Sequence, residues 1–194
     1  VEECLEVGVD EGKAMMLVFT WAVAVALGSP AAAQDRIVLE AENSTDLKEP
    51  LVIIDASKPE VAKPAQGASG NKYLEIAQGK GKPAEGGTPG QAVLKFTVKK
   101  AGTYTLWCRC FWQDGCGNSF LMQLDDQPTF IFGQDATYDV WHWVKAPAKL
   151  SQFKLSRGDH KLVIQNREDG VRIDQVVFVN DARYVPVDVE DPAP

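Results

Sequence analysis

Three groups of residues in this chain have types and spacing that could do chemistry. Glu40 and Glu42 are carboxylates one residue apart in an apolar-alternating stretch. Carboxylates are hard oxygen donors. With Asp174, from the last long alternating stretch, they could hold Ca²⁺, backbone carbonyls completing the six to eight oxygens this ion takes. Solvated carboxylates on an edge strand are the alternative. The second group is Arg167-Glu168-Asp169-Gly170. Asp-Gly is a turn dipeptide, because Gly enters φ > 0 at little cost, but a turn does not require three charged side chains. Glu168 and Asp169 are therefore candidates for polar contact with a ligand, or for ion pairs with Arg167, Arg172 or Arg109. The third group is Trp112, Tyr138 and Trp141, rings near loop edges. Such a ring offers a flat apolar face and a polar rim, which suits the C–H face of a sugar, with a neighbouring polar side chain taking the hydroxyls. A core lid is the other reading of these three rings. Trp107 and Trp143 lie mid-strand and read as core.

Catalysis finds little support. The sequence has no G-x-S-x-G, no H-E-x-x-H, no phosphate loop and no Cys/His pair. Asp125-Asp126 falls in a D-D-Q-P turn, and adjacent strand residues point to opposite faces. His160 opens a strand and reads as structural, and His142 stands between Trp141 and Trp143. No enzyme is expected.

The elements that must position these residues are short strands. In Gly158 to Val179, Leu162 and Ile164 share one face of a first strand. Val171, Ile173, Gln175, Val177 and Val179 share one face of a second. Alternation with period two marks a sheet with one buried side. Upstream, Arg36 to Asn43 alternates, Leu51 to Asp55 is apolar, and Tyr104, Leu106, Cys108, Cys110 and Trp112 share a face opposite Thr105, Trp107, Arg109 and Phe111. About eleven such strands, punctuated by Gly, Pro, Asn and Asp and free of any amphipathic helix, predict an all-β antiparallel β-sandwich of the jelly-roll type. One domain is expected over residues 34–187, with 188–194 a fraying acidic tail.

The net charge of −7 argues against nucleic acid or an anionic membrane as partner. Residues 1–33 contribute five acids and one Lys, so the remainder carries only −3. Within them, Met15 to Leu27 is an apolar run too short to span a bilayer, followed by Gly-Ser-Pro and Ala31-Ala32-Ala33. This reads as a secretory signal peptide cleaved after Ala33, although the segment before it is acidic. A secreted protein with no membrane span after cleavage, and a monomer, is the expectation. In an oxidising compartment, Cys116 is expected to bridge to Cys110, leaving Cys108 as a small buried thiol. The spacing C-x-C-x₅-C fits no zinc pattern.

The order of E-A-E (Glu40 to Glu42), A-G-T-Y-T-L-W-C-R (Ala101 to Arg109), Y-D-V-W-H-W (Tyr138 to Trp143), L-S-R-G-D-H-K-L (Leu155 to Leu162) and N-R-E-D-G-V-R-I-D (Asn166 to Asp174) resembles carbohydrate-binding modules of the family 6 and family 35 type, among the galactose-binding-like jelly rolls. The resemblance covers about residues 36–186. It implies a non-catalytic module that binds polysaccharide or glycan. It implies a structural Ca²⁺ at Glu40, Glu42 and Asp174. It also implies a sugar in the loops at one end, between Trp112 and Trp141 or Tyr138, with Glu168 or Asp169 as polar partner. Two departures stand out. The last loop carries Arg-Glu-Asp where sugar-binding members often carry Asn, and no catalytic domain is attached. A structural or protein-interaction β-sandwich without sugar is the alternative.

Overall fold

A computed structural model of the chain describes residues 35–61, 65–81, 89–150 and 152–191. The signal-peptide segment lies outside the described residues. Twelve strands form two antiparallel sheets: β1 Arg36–Glu40, β2 Thr45–Lys48, β3 Leu51–Asp55, β4 Lys72–Ile76, β5 Gln91–Val98, β6 Gly102–Trp112, β7 Ser119–Leu124, β8 Phe130–Gly133, β9 His142–Lys145, β10 Phe153–Leu155, β11 Gly158–Gln165 and β12 Val171–Val179. One sheet runs β10-β6-β12-β4-β3, with β1 added to β12 and β9 to β6; the other runs β2-β5-β11-β7-β8. Among the described residues no helix is long and apolar enough to cross a membrane.

The alternation that predicts the strands also builds the core. Tyr104, Leu106, Cys108, Cys110 and Trp112 of β6 point inward against Leu162 and Ile164 of β11 and against Leu94 and Phe96 of β5, all in one buried cluster. Phe178 lies in the same cluster and stacks on Phe96 with ring centroids 4.7 Å apart. His160 closes this region. Its Nδ1 meets Asp125 Oδ2 at 2.7 Å and its Nε2 meets the Ser156 carbonyl at 3.0 Å, a structural role as its position implies.

Four expectations need correction. Strand β12 does not keep one face throughout, because its register against β6 shifts between Ile173 and Gln175. Asp174 is the extra residue of a β-bulge, and a bulge turns the strand over. Val171 and Ile173 enter the core, as do Val176 and Phe178, whereas Val177 and Val179 join a separate cluster with Trp107 on the outer face. The first strand ends at Glu40, and Ala41–Asn43 form a 3₁₀ turn, so Glu40 and Glu42 are not alternate strand positions. Among the described residues no disulfide forms: Cys108 and Cys110 are free and buried, and Cys116 is free and exposed. Cys110 faces the core while Cys116 sits in the surface loop beyond Trp112, so their side chains do not meet.

The fourth correction concerns the acidic tail, which is docked as far as residue 191. Glu190 is 5% exposed, with its side chain against Arg36 and accepting from the Tyr184 hydroxyl at 2.6 Å. The Trp143 indole N–H donates to the Asp188 carbonyl at 2.9 Å. Both described ends meet here. The Asp35 amide donates to Asn180 Oδ1 at 2.9 Å, and Arg36 Nη2 donates to the Asp191 carbonyl at 3.1 Å.

Replacing Phe178 with Ala removes a fully buried ring from between the sheets. The expected loss is about 3–5 kcal/mol of unfolding free energy, read from urea denaturation at unchanged m-value.

Candidate functional site

Four connections converge at the end of the sandwich where β12 begins. The Gly170 amide donates to the Ile76 carbonyl (2.8 Å) and the Gln113 amide to the Gly170 carbonyl (3.2 Å), tying the last loop to those after β4 and β6. Asn118 joins the third and fourth: the Gln134 amide donates to its carbonyl (2.8 Å), and its own side chain donates to the Asp135 carbonyl (2.9 Å). The packing is close. A Cβ on Gly117 would lie 2.0 Å from the Asp169 carbonyl oxygen, so only glycine fits there.

The charged residues of the last loop hold this knot together. Glu168 Oε2 accepts from the Asn118 amide (3.1 Å) and the Ser119 hydroxyl (2.5 Å), and Oε1 pairs with Arg167. Asp169 Oδ2 accepts from the Gly79 amide. Of the ion-pair partners considered for these carboxylates, Arg167 is the one used. Arg172 pairs with Glu75 (2.7 Å) and Arg109 with Asp174 (2.5 Å).

The three candidate rings do not form one platform. Trp112 is fully buried in the core between the sheets, so it has no face for a ligand. Its indole N–H donates to Asp135 Oδ2 (3.1 Å), and its carbonyl accepts from the Asp139 amide (2.9 Å), which props the 134–141 loop from beneath. Asp135 also accepts from the Thr137 amide (2.9 Å) and meets His142 Nε2 (3.1 Å). Trp141 lies across the sheet from Trp112, on the outer face. There it packs edge-on to Tyr73 and Phe111, takes the Arg109 guanidinium over its ring, and donates its N–H to the Gln66 carbonyl (3.0 Å). Tyr138, 38% exposed, stands in the same loop as Trp141. Two rings of the three therefore reach the surface region of one loop, and the pairing of Trp112 with Trp141 is excluded by the sheet between them.

The bulge brings the acidic residues together on the outer face. Asp174 is fully buried, with Oδ1 accepting from the Ser69 amide (2.9 Å) and Oδ2 from Arg109, which also donates to the Gly67 carbonyl (3.0 Å). Burial pushes its carboxyl up to about 6 against the pull of Arg109 and the Ser69 amide. Glu40 Oε1 accepts from the Ser69 hydroxyl (3.1 Å) and from Gln175 Nε2 (2.8 Å). The other oxygens, Glu40 Oε2 and Glu42 Oε2, are buried without a hydrogen-bond partner. Burial, reinforced by the charges of Glu40 and Asp174, pushes the Glu42 carboxyl up to about 7. Asp174 turns to Arg109, and no cluster of three acidic, His or Cys side chains placed to hold a metal occurs among the described residues.

A comparison with solved structures identifies this architecture. The sandwich matches the GH26-CBM35 β-(1,4)-mannanase of Podospora anserina at TM-score 0.56 and 16% identity, over 80% of this chain and 30% of that one. The exo-β-1,3-galactanase of Phanerochaete chrysosporium matches at 0.53 and 14%, over 74% and 29%. The fold is of the family 35 carbohydrate-binding-module type. The chain spans less than a third of the length of either enzyme. A family 35 carbohydrate binding module from Clostridium thermocellum is matched at TM-score 0.49 and 18% identity, over 73% of this chain and 96% of that one. No protein-family model and no curated protein matches the sequence.

On this module-type fold, sequence reading grouped Glu40, Glu42 and Asp174 for a cation without showing that Asp174 comes near the other two, and it missed Arg109, Gln175 and Ser69, which hold Glu40 and Asp174. Arg109 had one visible signal, a charge set between Trp107 and Phe111 on the non-core face of β6. Replacing Arg109 with Met leaves Asp174 buried without its cation and is expected to cost about 3–5 kcal/mol of stability. Adding Asp174→Asn should recover part of that loss in urea denaturation.

Glu42 makes a pH prediction. Its folded-state value of about 7 lies above the ordinary 4.5, so the folded protein binds the extra proton. In metal-free buffer stability should therefore fall as pH rises from about 4.5 through 7, and Glu42→Gln should flatten that slope in thermal melts.

Proposed function

We propose that this domain is a secreted, non-catalytic carbohydrate-binding module that holds polysaccharide or glycan against the 134–141 loop. The carrying observation is the presentation of Tyr138 and Trp141 by that loop, braced from below by Trp112 and Asp135. A ring fixed in this way loses little entropy when a sugar stacks on it. Asp169 supplies the polar contact. Its Oδ2 serves the Gly79 amide, and Oδ1, without a hydrogen bond among the described residues, accepts a hydroxyl. Glu168 has both oxygens engaged, so it shapes the site by fixing Asn118 and Ser119. The fold supports the reading, since the mannanase and galactanase it matches are named for their polysaccharides. The loop carboxylates favour a non-catalytic role. Asp114 caps the Cys116 and Gly117 amides (2.8 and 3.0 Å), and Asp135 is committed to Trp112, Thr137 and His142. Export follows from the apolar run ending before Ala31-Ala32-Ala33.

Calcium belongs to the same proposal. Two buried carboxylate oxygens without partners, in a site whose burial and, less, whose charge lift Glu42 toward neutrality, call for a cation, and oxygen-only donors suit Ca²⁺. Glu40 and Glu42 would hold the ion, and Asp174 would add its charge while paired to Arg109. Bound there, the ion neutralises the pair and fixes the turn after β1 as a structural element.

Titration of the full chain with soluble mannan, galactan and other polysaccharides, followed by Trp fluorescence, tests the sugar reading. The expected response is saturable and weak, on the order of −4 to −6 kcal/mol per site, and is weakened about tenfold or more by Tyr138→Ala or Trp141→Ala. No response to any polysaccharide from folded protein would favour a protein-interaction module, the role to which the internally bonded Glu168 and buried Trp112 are better suited.

A further inference from the structure

We propose that Gln175 couples the Glu40–Glu42 pair to the C-terminal strap, residues 184–191, so that a divalent cation held by the pair and the docked strap stabilise each other. The inference rests on the calcium reading above.

Gln175 is the second residue that the bulge turns to the outer face, and it is fully buried. Its amide nitrogen donates to Glu40 Oε1 (2.8 Å) and to the Glu190 carbonyl (2.8 Å), while its oxygen accepts from the Glu190 amide (2.9 Å). A carboxamide has two donors on one side and an acceptor on the other. Turning it over would set its oxygen against the Glu40 carboxylate and the Glu190 carbonyl at once. The position of Glu40 therefore fixes the orientation of the amide, and that orientation fixes the main chain of Glu190.

The rest of the strap follows from that point. Glu190 Oε1 accepts from the Tyr184 hydroxyl (2.6 Å) and from the Val187 amide (3.3 Å), closing the strap on itself. Asp188 receives Trp143. The exposed Val185, Val187 and Val189 contribute little burial, so beyond the packing of Tyr184 on the Trp107 cluster and the burial of Pro186, the docking falls to these polar contacts. A cation on Glu40 and Glu42 removes the repulsion that would push the Glu40 carboxylate away from Gln175. By linkage, a docked strap must then raise the affinity of the pair for the cation by the same factor.

The test uses the full chain with Ca²⁺ alone as probe. Calorimetry reads affinity, and hydrogen exchange by mass spectrometry reads the strap. Ca²⁺ should slow exchange in 187–190 relative to EDTA. In Gln175→Leu, Ca²⁺ should still bind while strap exchange no longer responds to it. Glu190→Ala, which touches neither Glu40 nor Glu42, should weaken Ca²⁺ binding about five-fold or more, and it decides the matter if Gln175→Leu does not fold. Binding of Ca²⁺ with strap exchange unchanged, or with Glu190→Ala affinity unchanged, would overturn the coupling and leave the calcium reading intact. No Ca²⁺ binding by the full chain would overturn both.

Discussion

The outer face of this sandwich depends on the ion pair between Arg109 and Asp174. Asp174 shares that face with its neighbour because β12 carries a bulge, and a bulge puts two successive side chains on one side of a strand. The two are Asp174 and Gln175, and both are fully buried. A carboxylate in that position is costly unless a cation meets it. Arg109 supplies the charge from the neighbouring strand and reaches on to the Gly67 carbonyl and the face of Trp141. A single guanidinium thus links the central strands, the loop that covers them and one of the two outer rings of the 134–141 loop.

Much of the fold could be read directly from the residues. Leu162, Ile164 and the five inward residues of β6 alternate as a half-buried sheet requires, and they are core. The misreadings share one cause. Period-two reasoning carries a face along a strand until something in three dimensions interrupts it, and neither the bulge at Asp174 nor the 3₁₀ turn at Ala41–Asn43 announces itself with Gly or Pro. The site was legible by type more than by placement. Acidic residues proposed for a cation do gather, because a strand pairing joins Glu40 to Gln175. The aromatic pair did not hold, because Trp112 and Phe111, adjacent in sequence, face opposite sides of β6, and Trp141 follows Phe111.

The loop end shows a division of labour that composition alone would not reveal. Charge is spent on construction: Arg167 and Glu168 clamp Ser119 and Asn118, and Asp135 gathers Trp112, Thr137 and His142. Facing outward are Tyr138 and the rim of Trp141, beside the exposed Asp139 and Oδ1 of Asp169, which is unbonded among the described residues.

The meeting of the two described ends at Arg36 has an architectural consequence. The chain enters at the Val179 end of β12, where Arg36 pairs with Val179, and its described exit crosses the middle of that strand at Gln175, whereas the 134–141 and 166–170 loops lie at the Val171 end. Eight residue steps along β12 separate the entry from those loops, about 25–30 Å at the usual rise per residue. A partner domain grafted ahead of Asp35 would therefore stand at the pole away from those loops and leave them unobstructed.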